Sequence, residues 1–332
     1  MVALSPACET STGEPLTTAL QTVADFLQQQ AYEFTCVTPA THARVLDLRN
    51  GQQAQSLRDI FGWNMPFRAG MLPAAIQACL EQSGLVHAGE DAGKPPASSG
   101  EVRWTCCVRF ASQGADLIAH EGFPTLAHDA VFYGPDTFRF CRAIRQHLRP
   151  GGLVVDIGCG SGAGAIVAAQ VGAAQVIASD INSRALAFAE ANVQTAGLSG
   201  TISMRLSDLL QEIRETPTAI IANPPFIVDS KGRSYRDGGG DLGIDLSLAI
   251  VSAAAERLPR GGQLIVYTGT PVVDGVDYFR AAAEPILHQR GLRMHYEEID
   301  PDIFGDELSS PSYTTIDGIE RIAAVLLVAQ VP

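Results

Sequence analysis

The sequence has no long apolar run, few aromatic residues and no excess of positive charge. Its longest clear apolar stretch, residues 322–329, is much shorter than the roughly 18 residues of a membrane-spanning helix. The first fifteen residues lack the basic start and apolar stretch of a signal peptide. We therefore predict a cytoplasmic protein without membrane association.

The cysteine pattern lacks the spacing of a disulfide or zinc framework. The seven cysteines are an odd number and include no C-x-x-C pair. We predict reduced thiols and no metal site. His120 and His128, with Glu121 between them, could form a metal site or a general base, but two ordinary imidazoles explain them better.

The charge balance is acidic, with 23 basic and 36 acidic residues and a net charge of −13. Neither residues 1–130 nor residues 131–332 have the basic excess of a protein that neutralises many phosphates. Four arginines recur at helical spacing, and a solvated helix face explains them better than a phosphate track: Arg139, Arg142, Arg145 and Arg149. The composition argues against DNA or RNA as substrate, although a local basic patch stays compatible with it.

A change of pattern near residue 131 predicts two domains, 1–130 and 131–332. Apolar spacing predicts helices at 17–31, 56–63 and 72–86, the second capped by Ser56 with Asp59 three residues on. A Gly-, Pro- and Ser-rich loop at 87–100 precedes a hairpin signature, in which 101–110 and 115–123 flank ASQG. These elements predict a small, winged-helix-like α+β domain that binds substrate, acts as a lid or forms dimers, which leaves a homo-oligomer open.

From residue 131 onward, strand-like and helix-like segments alternate. The predicted strands are 153–157, 175–179, 202–206, 219–222 and 263–268, and the predicted helices are 162–171, 182–196 and 243–258. Such alternation predicts a mostly parallel sheet with helices on both faces. Two further strand-like runs, 292–299 and 321–330, predict an antiparallel pair at its end.

A glycine loop follows the first predicted strand of this sheet. Gly158, Gly160 and Gly162 permit a tight turn and a close approach of ligand, although the pattern alone is a weak signal. Asp180 ends the next strand, where a carboxylate can accept both hydroxyls of a ribose. Asp208 ends the third strand and could accept a hydrogen bond from an adenine amine. Each acid could instead be a helix cap or turn residue, and the set fits either a nicotinamide dinucleotide or S-adenosylmethionine (SAM).

The fourth predicted strand ends in Asn223, Pro224, Pro225 and Phe226. Two prolines cannot continue a ladder or donate backbone hydrogen bonds, so they predict a rigid, donor-poor corner. The Asn223 side-chain oxygen and the Pro224 carbonyl could accept hydrogen bonds from a planar N–H₂ group, and Phe226 could stack on that group. A plain strand-ending turn is the weaker alternative.

With these motifs, the sequence resembles the class I SAM-dependent methyltransferases, in a Rossmann-like fold. DIGCGSGAGAI, IASDIN, SDLL and NPPFI occur in the order and spacing of that family. Over about residues 131–330 the chain is most similar to the branch with (N/D)-P-P-(F/Y/W), and within it to the release-factor glutamine N-methyltransferases. The segment VFYGPDTFRF departs from that family's R-P-(D/E)-T motif, and residues 1–130 do not match its helical substrate-binding domain.

The resemblance implies SAM as cofactor and assigns roles to individual residues. Gly158, Gly160 and Gly162 would border the methionine part of SAM, Asp180 would bind its ribose and Asp208 its adenine. Asn223 would bind the target nitrogen, and Asp156 would orient the amino group of the donor or cap the loop. The predicted site also includes the neighbours of these residues: Cys159, as a small space-filling residue, Ile181 and Leu209.

We therefore expect a SAM-dependent N-methyltransferase acting on an amide or amino nitrogen of a protein, peptide or small molecule. The alternatives are an amino-methyltransferase acting on an RNA or DNA base, a non-catalytic SAM-binding protein, and another reaction of SAM. Tyr235, Arg236 and Asp237, which follow the proline corner, are equally compatible with a substrate pocket and with a surface loop.

Overall fold

The computed structural model describes residues 14–49, 52–88 and 103–332. The N-terminal part combines short helices with short antiparallel strands. Its helices are α1 (Glu14–Gln29), α2 (Pro39–Leu48), α3 (Leu57–Phe61) and α4 (Ala74–Gln82). Its strands are β1 (Phe67–Arg68), β2 (Val86–Ala88), β3 (Arg103–Cys106), β4 (Val108–Gln113) and β5 (Asp116–Glu121).

Three predicted helices of this part are confirmed as α1, α3 and α4. The Ser56 side chain caps α3 as expected, accepting a hydrogen bond from the Asp59 amide at 3.2 Å. The sequence reading missed α2, which the Thr38 side chain caps through the Thr41 amide at 3.2 Å. Of the predicted loop 87–100, residues 89–100 lie outside the described residues, whereas 87 and 88 belong to β2.

The predicted hairpin is confirmed only for β4 and β5, which pair from Val108–Glu121 to Gln113–Asp116. The run 101–110 is not one strand, because it breaks at Cys107. Its first half, β3, pairs with β1 and β2 in a separate three-stranded sheet. Cys107 is disulfide-bonded, so the expectation of reduced thiols is wrong at this residue, whereas Cys36, Cys79, Cys106, Cys141 and Cys159 are free.

The C-terminal part is a large sheet with helices on both faces. Its helices are α5 (Pro135–His147), α6 (Ala163–Val171), α7 (Ser183–Thr195), α8 (Asp245–Arg257) and α9 (Tyr278–Gln289). Its strands are β6 (Leu153–Ile157), β7 (Gln175–Asp180), β8 (Ile202–Leu206), β9 (Ala219–Ala222), β10 (Gln263–Val273), β11 (Val276–Asp277), β12 (Arg293–Asp300) and β13 (Ile319–Gln330).

The main strand order is β12-β13-β10-β9-β6-β7-β8, with β11 paired to β10. Strands β8, β7, β6, β9 and β10 run parallel, and β13 pairs antiparallel with both β10 and β12. The chain moves outward from β6 in one direction to β7 and β8, then returns to β9 on the other side. Ligands of such sheets bind at the carboxyl ends of the strands beside this reversal. The predicted mostly parallel, Rossmann-like sheet with an antiparallel last strand is confirmed.

The two parts share one apolar core, which extends from Leu16 of α1 to Phe188 of α7. At their junction the buried Asn192 side chain accepts a hydrogen bond from the Ala119 amide at 2.8 Å. It also donates to the Ala119 and Ser161 carbonyls at 3.0 and 2.8 Å. The domain boundary at residue 130 stays a prediction. None of the helices in the described ranges is long and apolar enough to cross a membrane.

Candidate active site

The glycine loop connects the end of β6 to α6. Gly158 and Gly160 have left-handed φ values of 66° and 53°, and a β-carbon built on either would meet nothing within 4 Å. Both residues therefore border open space. Gly162 is also left-handed, but a β-carbon there would lie 3.0 Å from that of Ala189 on α7. A glycine is therefore needed at position 162 because α7 packs closely against it.

Asp156 lies near the end of β6, directly below this loop. It is buried, and its Oδ2 atom has no hydrogen-bond partner. Burial raises the pKa of Asp156 to about 8. A hydrogen bond from the Ala165 amide lowers this pKa, and the nearby charge of Asp180 raises it. An unpaired buried carboxyl oxygen is costly in a folded protein and is a common feature of ligand sites.

Asp180 ends β7, and both of its carboxylate oxygens already hold backbone amides. Oδ2 accepts from Gly160 at 3.0 Å and Oδ1 accepts from Asn182 at 2.9 Å. Burial raises the pKa of Asp180, although these bonds act in the opposite direction. Asp180 also lines the cavity described below, and each oxygen can accept a second hydrogen bond, so Asp180 can fix the glycine loop and accept ligand hydroxyls at once.

Two apolar residues, Ile181 and Leu209, and a third acid, Asp208, lie beside the acids already described. Ile181 is a large apolar residue with 68% of its surface exposed, directly after Asp180. Asp208, which follows β8, is exposed and accepts a hydrogen bond from Gln211 at 3.0 Å. Leu209 has a left-handed φ of 49°. Apolar surface beside a carboxylate suits a flat heteroaromatic ring that carries an amino group.

The proline corner follows β9 at the same edge of the sheet. Asn223 is half-buried, and none of the described residues forms a hydrogen bond with its side chain. The ring of Phe226 packs against Gly269 of β10, where a β-carbon would collide with it, and lies 6.0 Å from the ring of Phe304. The corner is therefore held by packing while the Asn223 amide stays available.

One cavity of about 590 Å³ brings these elements together. The predicted residues that line it are Asp156, Gly158, Cys159, Gly160, Asp180, Ile181, Asp208, Leu209, Asn223, Pro224, Pro225 and Phe226. Gly162 is the predicted residue that does not line it. Residues more than sixty positions apart in the sequence thus share a single pocket.

Several residues that line the cavity were not among the predicted site residues. Asp136, at the start of α5, accepts hydrogen bonds from the Tyr267 hydroxyl at 2.6 Å and from Arg139 at 3.1 Å. Burial raises its pKa more strongly than these two partners lower it. Phe304 and Glu307 come from the connection between β12 and β13, and Phe123 comes from the N-terminal part.

The structure distinguishes the residues for which the sequence left two interpretations open. Tyr235 and Arg236 line the cavity, whereas Asp237 does not and instead accepts hydrogen bonds from the Asp229 and Gly239 amides at 3.4 and 3.3 Å. His120 is buried and His128 is exposed, and within the described ranges no group of three or more candidate ligand residues could hold a metal ion.

The four arginines at helical spacing do not form one uniform surface. Arg139 pairs with Asp136 and Asp300, while Arg142 and Arg145 are exposed on α5 and Arg149 is exposed just after its end. Arg149 donates a hydrogen bond to Gln330 at 2.7 Å. An exposed helix face is the placement expected of solvated charges.

Comparison with known proteins finds similarity in the C-terminal part. Residues 140–271 match the family model for the methyltransferase small domain. A ribosomal protein L11 methyltransferase from Exiguobacterium sp. is 32% identical over 135 residues, which cover 37% of this chain and 43% of that protein. A release factor glutamine methyltransferase from Rhodopirellula baltica is 34% identical over 142 residues, which cover 39% and 48%.

The chain spans about a quarter to a half of the length of the curated relatives it matches. Among solved structures, ribosomal protein L11 methylase from Lactobacillus delbrueckii subsp. bulgaricus aligns with a TM-score of 0.40 at 20% identity. That alignment covers 60% of this chain and 80% of that one. Similarity at this level carries no information about substrate.

Proposed function

We propose that this chain, which contains a methyltransferase small domain at residues 140–271, transfers a methyl group from SAM to a nitrogen. The acceptor would be an amide or amino nitrogen of a protein, a peptide or a small molecule. Two relatives named for methyl transfer to ribosomal protein L11 and to release-factor glutamine support a protein acceptor. The net charge of −13 also favours an acceptor other than nucleic acid.

The cavity fits SAM in its chemistry. Asp156, which lines the cavity, would attract the ammonium group, and the open space at Gly158 and Gly160 would admit the methionine part. Asp180 would hold the ribose hydroxyls, and Ile181 and Asp208 would bind the adenine through its face and its amino group. SAM, when bound, supplies a methyl group attached to a positively charged sulfur.

The proline corner would prepare the acceptor for attack. An amide or aromatic amino nitrogen is a weak nucleophile because its lone pair is delocalised. Hydrogen bonds from its N–H groups to the Asn223 oxygen and the Pro224 carbonyl would fix its orientation and stabilise the charge that develops on it. The two prolines reduce the reorganisation that this requires, since their φ angles are fixed.

One observation carries this proposal. The half-buried Asn223 side chain has no partner among the described residues, and it lines the same cavity as Asp156 and Asp180. A protein that only stores or senses SAM needs the two carboxylates but has no use for an unengaged amide held at a rigid corner. The corner therefore supports catalysis over simple binding.

The test is the substitution Asn223→Ala. We expect affinity for S-adenosylhomocysteine to stay within about twofold, because the amide is assigned to the acceptor, and turnover to fall by about 100-fold or more, the typical cost of removing one preorganised donor or acceptor. Calorimetry measures the affinity, and release of S-adenosylhomocysteine from SAM with a glutamine-containing peptide measures the turnover. Unchanged turnover in the variant would remove Asn223 from the reaction.

A further inference from the structure

Residues 122–130, which we call the connecting loop, follow β5 and lead toward α5. The ends of the loop are joined, because the Glu121 amide just before it donates a hydrogen bond to the Val131 carbonyl just after it, at 2.9 Å. The Phe123 amide, at the base of the loop, donates to the buried Asn64 side chain at 2.6 Å. Surface loops with joined ends are compact units that often carry function.

The tip of the connecting loop has little packing of its own. The side chains of Leu126, His128 and Asp129 are exposed. Within the described part of the chain, the backbone amides of residues 125–129 donate no hydrogen bond. Segments with few buried contacts and few backbone hydrogen bonds open locally at low cost while the rest of the fold stays intact.

Two residues from the segment after the proline corner hold this tip through its backbone carbonyls. Ser234 donates to the His128 carbonyl through both its hydroxyl, at 2.8 Å, and its amide, at 3.1 Å. The Tyr235 hydroxyl donates to the Thr125 carbonyl at 2.7 Å. Ser234 and Tyr235 both line the cavity, so the connecting loop is attached on the side of the proline corner.

Asn182 holds the same tip from the side of Asp180. Its side-chain amide donates to the Asp129 carbonyl at 2.7 Å, next to the carbonyl that Ser234 holds. Its backbone amide donates to Asp180 at 2.9 Å, and its side-chain oxygen caps α7 by accepting from the Arg184 amide at 2.9 Å. Asn182 thus links the acid assigned to the ribose directly to the connecting loop.

The two attachment points lie on opposite sides of the glycine loop. Asn182 follows β7 and Ser234 lies beyond β9, and these two strands flank β6, whose end carries the glycine loop. The connecting loop therefore reaches from one side of the glycine loop to the other. Four of its residues line the cavity: Phe123, Pro124, Thr125 and Ala130.

We propose that the connecting loop is a lid, which opens to admit SAM and to release S-adenosylhomocysteine, with Asn182 and Ser234 as the positioning residues that keep it closed. The inference rests on the proposed function, because that function assigns SAM to the cavity. The base of the loop is fixed and its tip is held mainly through its carbonyls, so the tip can detach while both parts of the chain stay folded. Since Asn182 also bonds to Asp180, we expect the closed position to be favoured when a nucleoside occupies the site of that acid.

The Ser234 amide reports the position of the lid, because within the described ranges its one hydrogen bond goes to the His128 carbonyl of the tip. Hydrogen–deuterium exchange followed by NMR measures this amide in the full-length protein, free and saturated with S-adenosylhomocysteine. We expect the ligand to slow exchange at Ser234 at least about tenfold. The Gly291 amide, which bonds to the His288 carbonyl at 3.0 Å in an exposed turn outside the cavity lining, should change less than about twofold. Equal exchange at Ser234 in both states would overturn the lid.

Two variants weaken the closed position of the lid. Asn182→Ser keeps a side-chain oxygen that can cap α7 but loses the donor to Asp129, and Ser234→Ala loses the hydroxyl bond to His128. Each should raise both the association and the dissociation rate constant of S-adenosylhomocysteine about fivefold, because the open position is more populated, while Kd stays within about twofold. Stopped-flow binding measures both rate constants.

Thr22→Ala is the matched control, because it also removes an exposed hydroxyl that bonds to a backbone carbonyl at 2.8 Å, that of Thr18 in α1, outside the cavity lining. It should leave both rate constants unchanged. A rise in the dissociation rate constant alone would make Asn182 or Ser234 a direct ligand contact and overturn its role in the lid, as would unchanged rate constants in both variants. If the protein does not bind S-adenosylhomocysteine at all, the proposed function itself is contradicted.

Discussion

Asp156 shows how a single buried acid can couple the protonation of the protein to ligand binding. Its Oδ2 atom is buried without a partner, and burial raises its pKa to about 8. The carboxyl group is therefore largely neutral at pH 7 in the free protein. A cationic group bound beside it favours the ionised form, so binding and loss of the proton are linked.

We expect the affinity for S-adenosylhomocysteine to rise by up to about tenfold per pH unit below pH 8 and then to level off. The sign follows from the raised pKa, because below it the carboxyl group must lose its proton before it can pair with the ligand's ammonium group. Asp156→Asn cannot ionise and should lack this dependence. Calorimetry from pH 6 to pH 8.5, in two buffers of different ionisation enthalpy, measures both affinity and proton release. The same pH dependence in the variant would contradict the assignment.

The site residues that the sequence could predict are those with a local signal. Gly158 and Gly160 follow a strand at once, and Asn223 precedes two prolines, so each position is unusual within a few residues. Tyr235 follows that corner, and the sequence left it open between a pocket and a surface loop. Phe304 has no such signal, because its place depends on which distant segments the fold brings to one cavity. The glycine pattern also misled at one position, since Gly162 is placed by packing against Ala189 and does not line the cavity.

At the scale of elements, β10 and the proline corner fit each other closely. Phe226 occupies the space that a side chain on Gly269 would take, in the middle of a strand whose other residues are buried. A glycine in a central strand usually marks a close approach by another group. Here that group is the aromatic ring of the corner itself.

The substitution Gly269→Ala should therefore displace Phe226. We expect turnover to fall at least about tenfold, because a small shift in a positioned group is costly, and the free energy of unfolding to fall by roughly 1–3 kcal/mol through overpacking. Gly200→Ala is the matched control, because a β-carbon on Gly200 would meet nothing within 4 Å. Urea denaturation and SAM turnover measure both effects. Wild-type turnover in Gly269→Ala would show that the ring tolerates displacement.

The regular elements of the sheet were predictable because buried parallel strands leave continuous apolar runs between helical patterns. Strands β6, β8 and β9 match their predicted limits, and β10 extends five residues further, to Val273. The short elements were not predictable. The break at Cys107 interrupts an apparently continuous strand pattern, and pairing of β3 with β1 depends on long-range contacts.

At the scale of the whole molecule, Asn192 joins the two parts of the chain. Its side chain forms three hydrogen bonds, two with Ala119 of the N-terminal hairpin and one with Ser161 beside the glycine loop. A salt bridge at 2.6 Å between Arg184 and Glu121 lies at the same junction. Through Asn192 the contact extends to the glycine loop, so the N-terminal part packs against α7 close to the site.

Replacing Asn192 by alanine should destabilise the protein by roughly 3 kcal/mol, because buried backbone groups would lose their partners. Gln194→Ala is the control, since that half-buried side chain bonds only to Glu190 on the same helix, at 3.3 Å. It should change stability by less than about 0.5 kcal/mol. Chemical denaturation of both variants makes the comparison, and equal stability of the two would contradict the role of Asn192.

The position of β13 has a consequence for the protein during its synthesis. This strand, residues 319–330, lies between β10 and β12, both of which precede it in the chain. Until those residues have left the ribosome, β10 presents an unpaired backbone edge and β12 has no neighbour to join. Open edges of this kind template pairing between chains, so the nascent polypeptide is exposed to aggregation until residues 319–330 have left the ribosome.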